Sequence, residues 1–196
     1  MKASSFSNIT AITGFLENLF FGFCIATLLA ILLFYLFKKA FLLQFIQQSI
    51  RIAKTLALTY MVIYLVACFY FYTMGGIELH SGRAVGPYAF AYWMMLLRPF
   101  VFCGLLQLFW IKKMHSKTIY TLLLLILVSI VVFLSGRVLE RIVILITSYH
   151  RDYLPSDYTP HTSIYLSGIL YALQWSILFS AFVFIVLALK KDKKIM

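Results

Sequence analysis

Long apolar runs constrain this chain more than any other feature, because a run of about 20 such residues has one comfortable environment. The hydrocarbon layer of a bilayer is roughly 30 Å thick and a helix rises about 1.5 Å per residue, so roughly 20 residues cross it. No water reaches backbone amides inside lipid, so each crossing segment must satisfy its own hydrogen bonds as a helix. Five runs qualify, at about 14–37, 55–74, 87–111, 118–149 and 163–189. The fourth exceeds the bilayer and must tilt or project beyond it. Composition closes off the soluble alternative. Only 12% of the 196 residues are charged, about half of the roughly 25% that a water-facing domain carries. The expected fold class is an all-α membrane protein, a single bundle of about five transmembrane helices spanning 1–196.

Residues 40–54 read differently. Gln44, Gln47, Gln48, Arg51 and Lys54 recur at helical spacing, with Phe41, Leu42, Phe45, Ile46 and Ile50 at the other positions. This pattern predicts an amphipathic helix lying in the interface before the second span. The first apolar run continues to Phe37, which is too long for a cleaved signal peptide, so the first helix is expected to be retained.

The formal net charge is +11, which could point to nucleic acid. The basic residues form no groove or stripe, however. They sit in short clusters between the apolar runs, so the bilayer is the expected partner and nucleic acid is not. Lys38, Lys39, Arg51, Lys54, Lys112, Lys113, Lys117, Lys190, Lys191, Lys193 and Lys194 fall on one side of the bundle. Lys2, Arg83 and Arg151 fall on the other. The excess marks the cytoplasmic face, which puts the C-terminus in the cytoplasm and the N-terminus outside.

Charges inside a span each cost roughly 2.5–3.5 kcal/mol to insert, so they need partners or a task. Glu17, Arg98, Arg137, Glu140 and Arg141 are the candidates for a polar cluster. Arg137 and Glu140 are three residues apart and share a helix face. Arg98 and Glu140 both fall in the outer half of the membrane, so a pair between the third and fourth spans is geometrically reasonable. Two readings stay open: these charges hold the bundle together, or they line a proton or quinone path. Pro99 removes one helix hydrogen bond beside Arg98, and the freed carbonyls could partner a cation or water.

Haem is not expected. His80, His150 and His161 lie in or beside outer loops and His115 in an inner loop, so no pair faces across the bundle as haem ligation requires. No Cys/His spacing suits a metal, and Cys24, Cys68 and Cys103 lie in apolar runs as small core residues. Nucleophile–base, phosphate-loop and dinucleotide motifs are also missing. Tyr88, Tyr92 and Trp93 are the weak candidates for a flat cofactor slot.

Two segments carry a resemblance. Gly86-Pro87-Tyr88-Ala89-Phe90-Ala91-Tyr92-Trp93 opens the third span, and a second segment runs from Glu140-Arg141 through His150-Arg151-Asp152 to Pro155-Ser156. Both resemble the NrfD/polysulfide-reductase type of membrane subunit, especially the version in bacterial alternative complex III. That family has two four-helix bundles, exchanges electrons with quinone and works with a peripheral iron–sulfur subunit. The matching motifs fall in its second bundle, whereas its quinone pocket lies mainly in the first.

The resemblance implies a bacterial inner-membrane subunit of a quinol-oxidoreductase-type respiratory assembly, acting as a non-catalytic anchor or partner. Membrane or periplasmic redox subunits are then the expected partners, and quinone the one cofactor to consider. His150, Arg151 and Asp152 match the family's outer motif, and they are candidates for a partner-docking surface. Arg137 departs from the apolar or aromatic residues usual before its Glu-Arg pair. Two alternatives remain open at this level: a quinone- or proton-handling subunit completed by a partner chain, and a small transporter or permeation protein.

Overall fold

The computed structural model describes residues 2–73, 84–85, 89–111, 118–134 and 162–192. Five long helices account for nearly all of them. Helix α1 covers Lys2–Phe37, α2 Ala40–Phe71, α3 Ala89–Gln107, α4 Thr118–Phe133 and α5 Thr162–Asp192. A single 3-10 turn, Leu108–Trp110, finishes α3. Among the described residues, four stretches are long and apolar enough to cross a membrane: Ile9–Phe37, Ala40–Phe71, Tyr92–Trp110 and Gly168–Lys190. The protein is therefore an all-α, multi-pass membrane protein. The described part of α4 is apolar but shorter, and residues 135–149 of the expected fourth span lie outside the described residues.

Helix α1 is the hub. Half of its most apolar window is buried, against 11% for α5. It packs against α5, α2 and α4, while α3 bridges α2 and α4. Its mean hydropathy of 2.6 suits a helix surrounded by others, since an apolar surface on every side needs no water-facing stripe. The core gathers Phe20, Phe23, Cys24 and Ile31 of α1, Ala53, Ala57 and Tyr60 of α2, Phe102, Cys103 and Leu106 of α3, Leu125 and Val128 of α4, and Phe179 and Val183 of α5. Cys24 and Cys103 are free thiols within this core, and Cys68 is free and half-buried.

Lipid supplies no hydrophobic drive for helices to associate, so close backbone approach and van der Waals contact must do it. The α1–α5 seam shows this. Gly22 lies so near α5 that a Cβ in its place would collide with the Trp175 carbonyl and come 3.3 Å from Phe179 Cβ. Ala26 and Ala30 continue the same small-residue row on α1 and are both buried. Aromatic rings fill the flanks, with Phe15 against Trp175 at 5.5 Å and Phe23 against Phe179 at 5.5 Å.

Residues 40–54 do not form a separate element. They are the first half of a continuous helix that runs to Phe71. The amphipathic pattern still sorts the faces: Phe45, Ile46 and Ile50 are buried while Gln44, Gln47 and Arg51 are exposed. Phe41, on the apolar face of the pattern, is exposed, and Gln48 departs the other way. It is buried, and its side-chain oxygen accepts a hydrogen bond from Lys190 Nζ of α5 at 2.6 Å. No proline or glycine lies between 40 and 71 to break the helix, so good helix formers carry it through the expected junction. At about 1.5 Å per residue, its 32 residues exceed the hydrocarbon thickness, so part of the α1–α2 hairpin projects beyond it.

The hairpin turn is short. Lys38 takes a left-handed conformation, φ 50°, and its amide donates to the Phe34 carbonyl at 2.8 Å. That closes α1 in the way a glycine usually does. A residue with a Cβ loses roughly 1–2 kcal/mol there.

Candidate functional site

Helix α3 continues through Pro99. The missing amide of a proline frees carbonyls about one turn earlier. The carbonyl that the Pro99 amide would have met is that of Met95. At the next carbonyl, Leu96, the Tyr64 hydroxyl of α2 donates at 3.0 Å, so a neighbouring helix braces α3 at this turn.

Arg98 sits immediately before that proline, and its side chain is 10% exposed. Its guanidinium forms an ion pair with the Glu17 carboxylate of α1, Nη2 donating to Oε2. The other nitrogen, Nη1, donates to the Val132 carbonyl of α4 at 3.4 Å. The guanidinium carbon stands 6.0 Å from the Phe102 ring centroid, within reach of a cation–π attraction. Arg98 therefore joins three helices through one planar group, a role that its fork of fixed donors suits.

Glu17 accepts a second hydrogen bond at Oε1, from the Tyr60 hydroxyl of α2 at 2.7 Å. Both carboxylate oxygens are thus occupied, and the charge is balanced inside the bundle. The Tyr60 ring packs against Phe20 at 5.7 Å, Phe102 at 5.5 Å and Tyr64 at 5.9 Å. These rings exclude water from one side of the pair, while the Glu17 side chain remains 34% exposed. One tie across α1, α2, α3 and α4 results. Chemically it can hold helices in register.

Of the expected polar cluster, the described residues bring together Glu17 and Arg98. Among the described residues the carboxylate that meets Arg98 is Glu17 of α1; Glu140, the partner anticipated in the fourth span, lies outside them. Arg137, Glu140 and Arg141 lie outside the described residues, as do His150, Arg151, Asp152 and Tyr88. Tyr92 and Trp93 lie in the first turn of α3, with rings edge to face at 5.6 Å. The Trp93 indole donates to the Ala84 carbonyl at 3.3 Å, and 47% of the residue is exposed. Among the described residues, no group of three His, Cys, Asp or Glu side chains could hold a metal.

Tyr60 and Tyr64 were not anticipated from the sequence. A signal for Tyr60 does exist: Glu17 stands 21 residues before Lys38 and Tyr60 stands 21 residues after Lys39. An antiparallel hairpin folded at that lysine pair brings the two to the same level. Recognising this requires knowing that 40–71 is one helix.

Two further polar groups are buried. The hydroxyls of Thr27 and Ser49 have no hydrogen-bond partner among the described residues. At the level of Lys54, the Gln107 side chain donates to the Lys54 carbonyl at 3.2 Å, and the Lys54 amine lies 4.0 Å over the Trp110 ring. This pins the end of α3 against α2. No protein-family model matches the chain, and neither the curated proteins nor the solved structures contain a match.

Proposed function

We propose that this chain is a non-catalytic membrane subunit, an anchor or partner, of a quinol-oxidoreductase-type respiratory assembly in a bacterial inner membrane. The resemblance of the Gly86–Trp93 and Glu140–Ser156 segments to the NrfD type supports the choice of assembly. The observation that carries the anchoring role is the closed tie: Arg98 and Tyr60 occupy both oxygens of Glu17. Charges satisfied by their own bundle stabilise a scaffold. In this reading the end bearing Lys38, Lys39 and Lys190 faces the cytoplasm, in line with the positive-inside bias. The periplasmic side, with His150, Arg151 and Asp152, is where a redox partner docks.

Affinity purification in mild detergent, with identification of co-purifying subunits and extracted quinone, tests this proposal. Iron–sulfur or molybdopterin partners without quinone bound to this chain is the expected result. Stoichiometric quinone on the chain would favour a quinone- or proton-handling subunit completed by a partner. The exposed edge of Glu17 is the observation on the side of that second reading. A chain that purifies alone and conducts solute in liposomes would sink both.

A further inference from the structure

The α1–α2 hairpin turns on two exposed lysines, and Lys38 keeps its charged side chain in a backbone conformation that favours glycine. Helix α2 begins directly after Lys39 with no side-chain cap, so the positive end of its dipole adds to the field of both amines. Two residues further on, Phe41 marks the edge of a groove of about 490 Å³ between α1, the first turns of α2, and α5. Ala26 and Ala30 form its floor on the α1 side, Phe41 and Phe45 the α2 wall, and Ser180 and Phe184 the α5 wall. Phe184 stacks on Phe41 with centroids 5.8 Å apart.

The groove's volume falls in the range of roughly 300–1,000 Å³ seen for small-molecule sites. Its lining is almost entirely hydrocarbon, with little to orient a polar solute. Apolar walls below two adjacent exposed lysines match an amphiphile with an anionic head. The outer face of α5, with Leu166, Ile169 and Leu170 exposed, offers lipid the same apolar contact without these cations. We propose that the hairpin end binds one anionic phospholipid, its acyl chain in the α1–α2–α5 groove and its phosphate at Lys38 and Lys39. A zwitterionic lipid can fill the groove, but it has little net charge to gain from the two amines. This inference stands apart from the respiratory reading above, since it needs no partner subunit and no fixed orientation.

Native mass spectrometry of the full chain in mild detergent, with phosphatidylglycerol and phosphatidylcholine added in competition, tests it. The wild type should retain one phosphatidylglycerol against a tenfold excess of phosphatidylcholine. Lys38→Gly relieves the backbone, so the variant should be at least as heat-stable as the wild type. Its phosphatidylglycerol affinity should nevertheless fall about fivefold, a loss that misfolding cannot explain. Adding Lys39→Gln should erase the preference. Ala181→Phe, at an exposed position lining the groove, should remove the bound lipid of either kind. Equal retention of the two lipids by the wild type would overturn the proposal. So would an unchanged preference in the double variant, or a lipid still held by Ala181→Phe.

Discussion

The middle of the bundle and the α1–α2 hairpin treat charge in opposite ways. At the level of Glu17, one acid and one base are joined, Tyr60 takes up the remaining carboxylate oxygen, and aromatic rings close over them. At the hairpin, Lys38 and Lys39 stand exposed at the turn. The difference follows from the solvent. Inside an apolar span an unpaired charge is costly, so the chain supplies its own counter-ion. Near the headgroups a lysine is well solvated, and its counter-charge can come from outside the chain. The first region stabilises the fold; the second is free to bind.

Substitutions should separate the two regions. Arg98→Ala leaves the Glu17 carboxylate without its cation and should cause the largest loss, about 3 kcal/mol, the lower end for a buried pair because Glu17 is partly exposed. Thermal unfolding in detergent would measure it. The double variant with Glu17→Gln should recover part of the loss, and strict additivity would break the idea of a coupled pair. Gly22→Val drives a side chain into the Trp175 carbonyl and should cost about 2 kcal/mol. The same assay, with near-ultraviolet dichroism of Trp175, would report whether α5 has shifted. Tyr60→Phe keeps the ring and removes one hydrogen bond to a charged group, about 1.5 kcal/mol.

Smaller effects sharpen the contrast. Thr27→Val replaces a buried, unpartnered hydroxyl by a near-isosteric methyl and should be neutral or stabilising by up to about 1 kcal/mol. A clear destabilisation would show that the hydroxyl has a partner after all. Lys39→Gln at the hairpin should change stability by less than about 0.5 kcal/mol. If it matched Arg98→Ala, the division between a structural middle and an open end would fail.

The gross architecture was legible because hydropathy is a local property. Each of the four long apolar helices declares itself within its own residues, and spacing sorted most positions of 40–54, with Phe41 exposed and Gln48 buried against the pattern. The continuity of α2 was not legible. The polar positions Gln44 to Lys54 look like an element of their own, yet nothing in the backbone stops the helix before Phe71. The partner of Arg98 was not legible either, because pairing depends on which helices are neighbours and at what level. Glu17 was recognised as an intramembrane charge, but its position beside α3 comes from packing. The closeness of α1 to α5 likewise turns on Gly22, whose four-residue spacing to Ala26 and Ala30 marks a face for close helix packing without saying which helix comes to it.

That closeness also bears on how the protein is made. The hub helix and the helix seated on it at Gly22 are separated along the chain by three others, so during synthesis the groove-side flank of α1 waits uncovered while α2, α3 and α4 are threaded into the bilayer. Covering of that flank therefore waits for α5, and lipid fills its place in the interval.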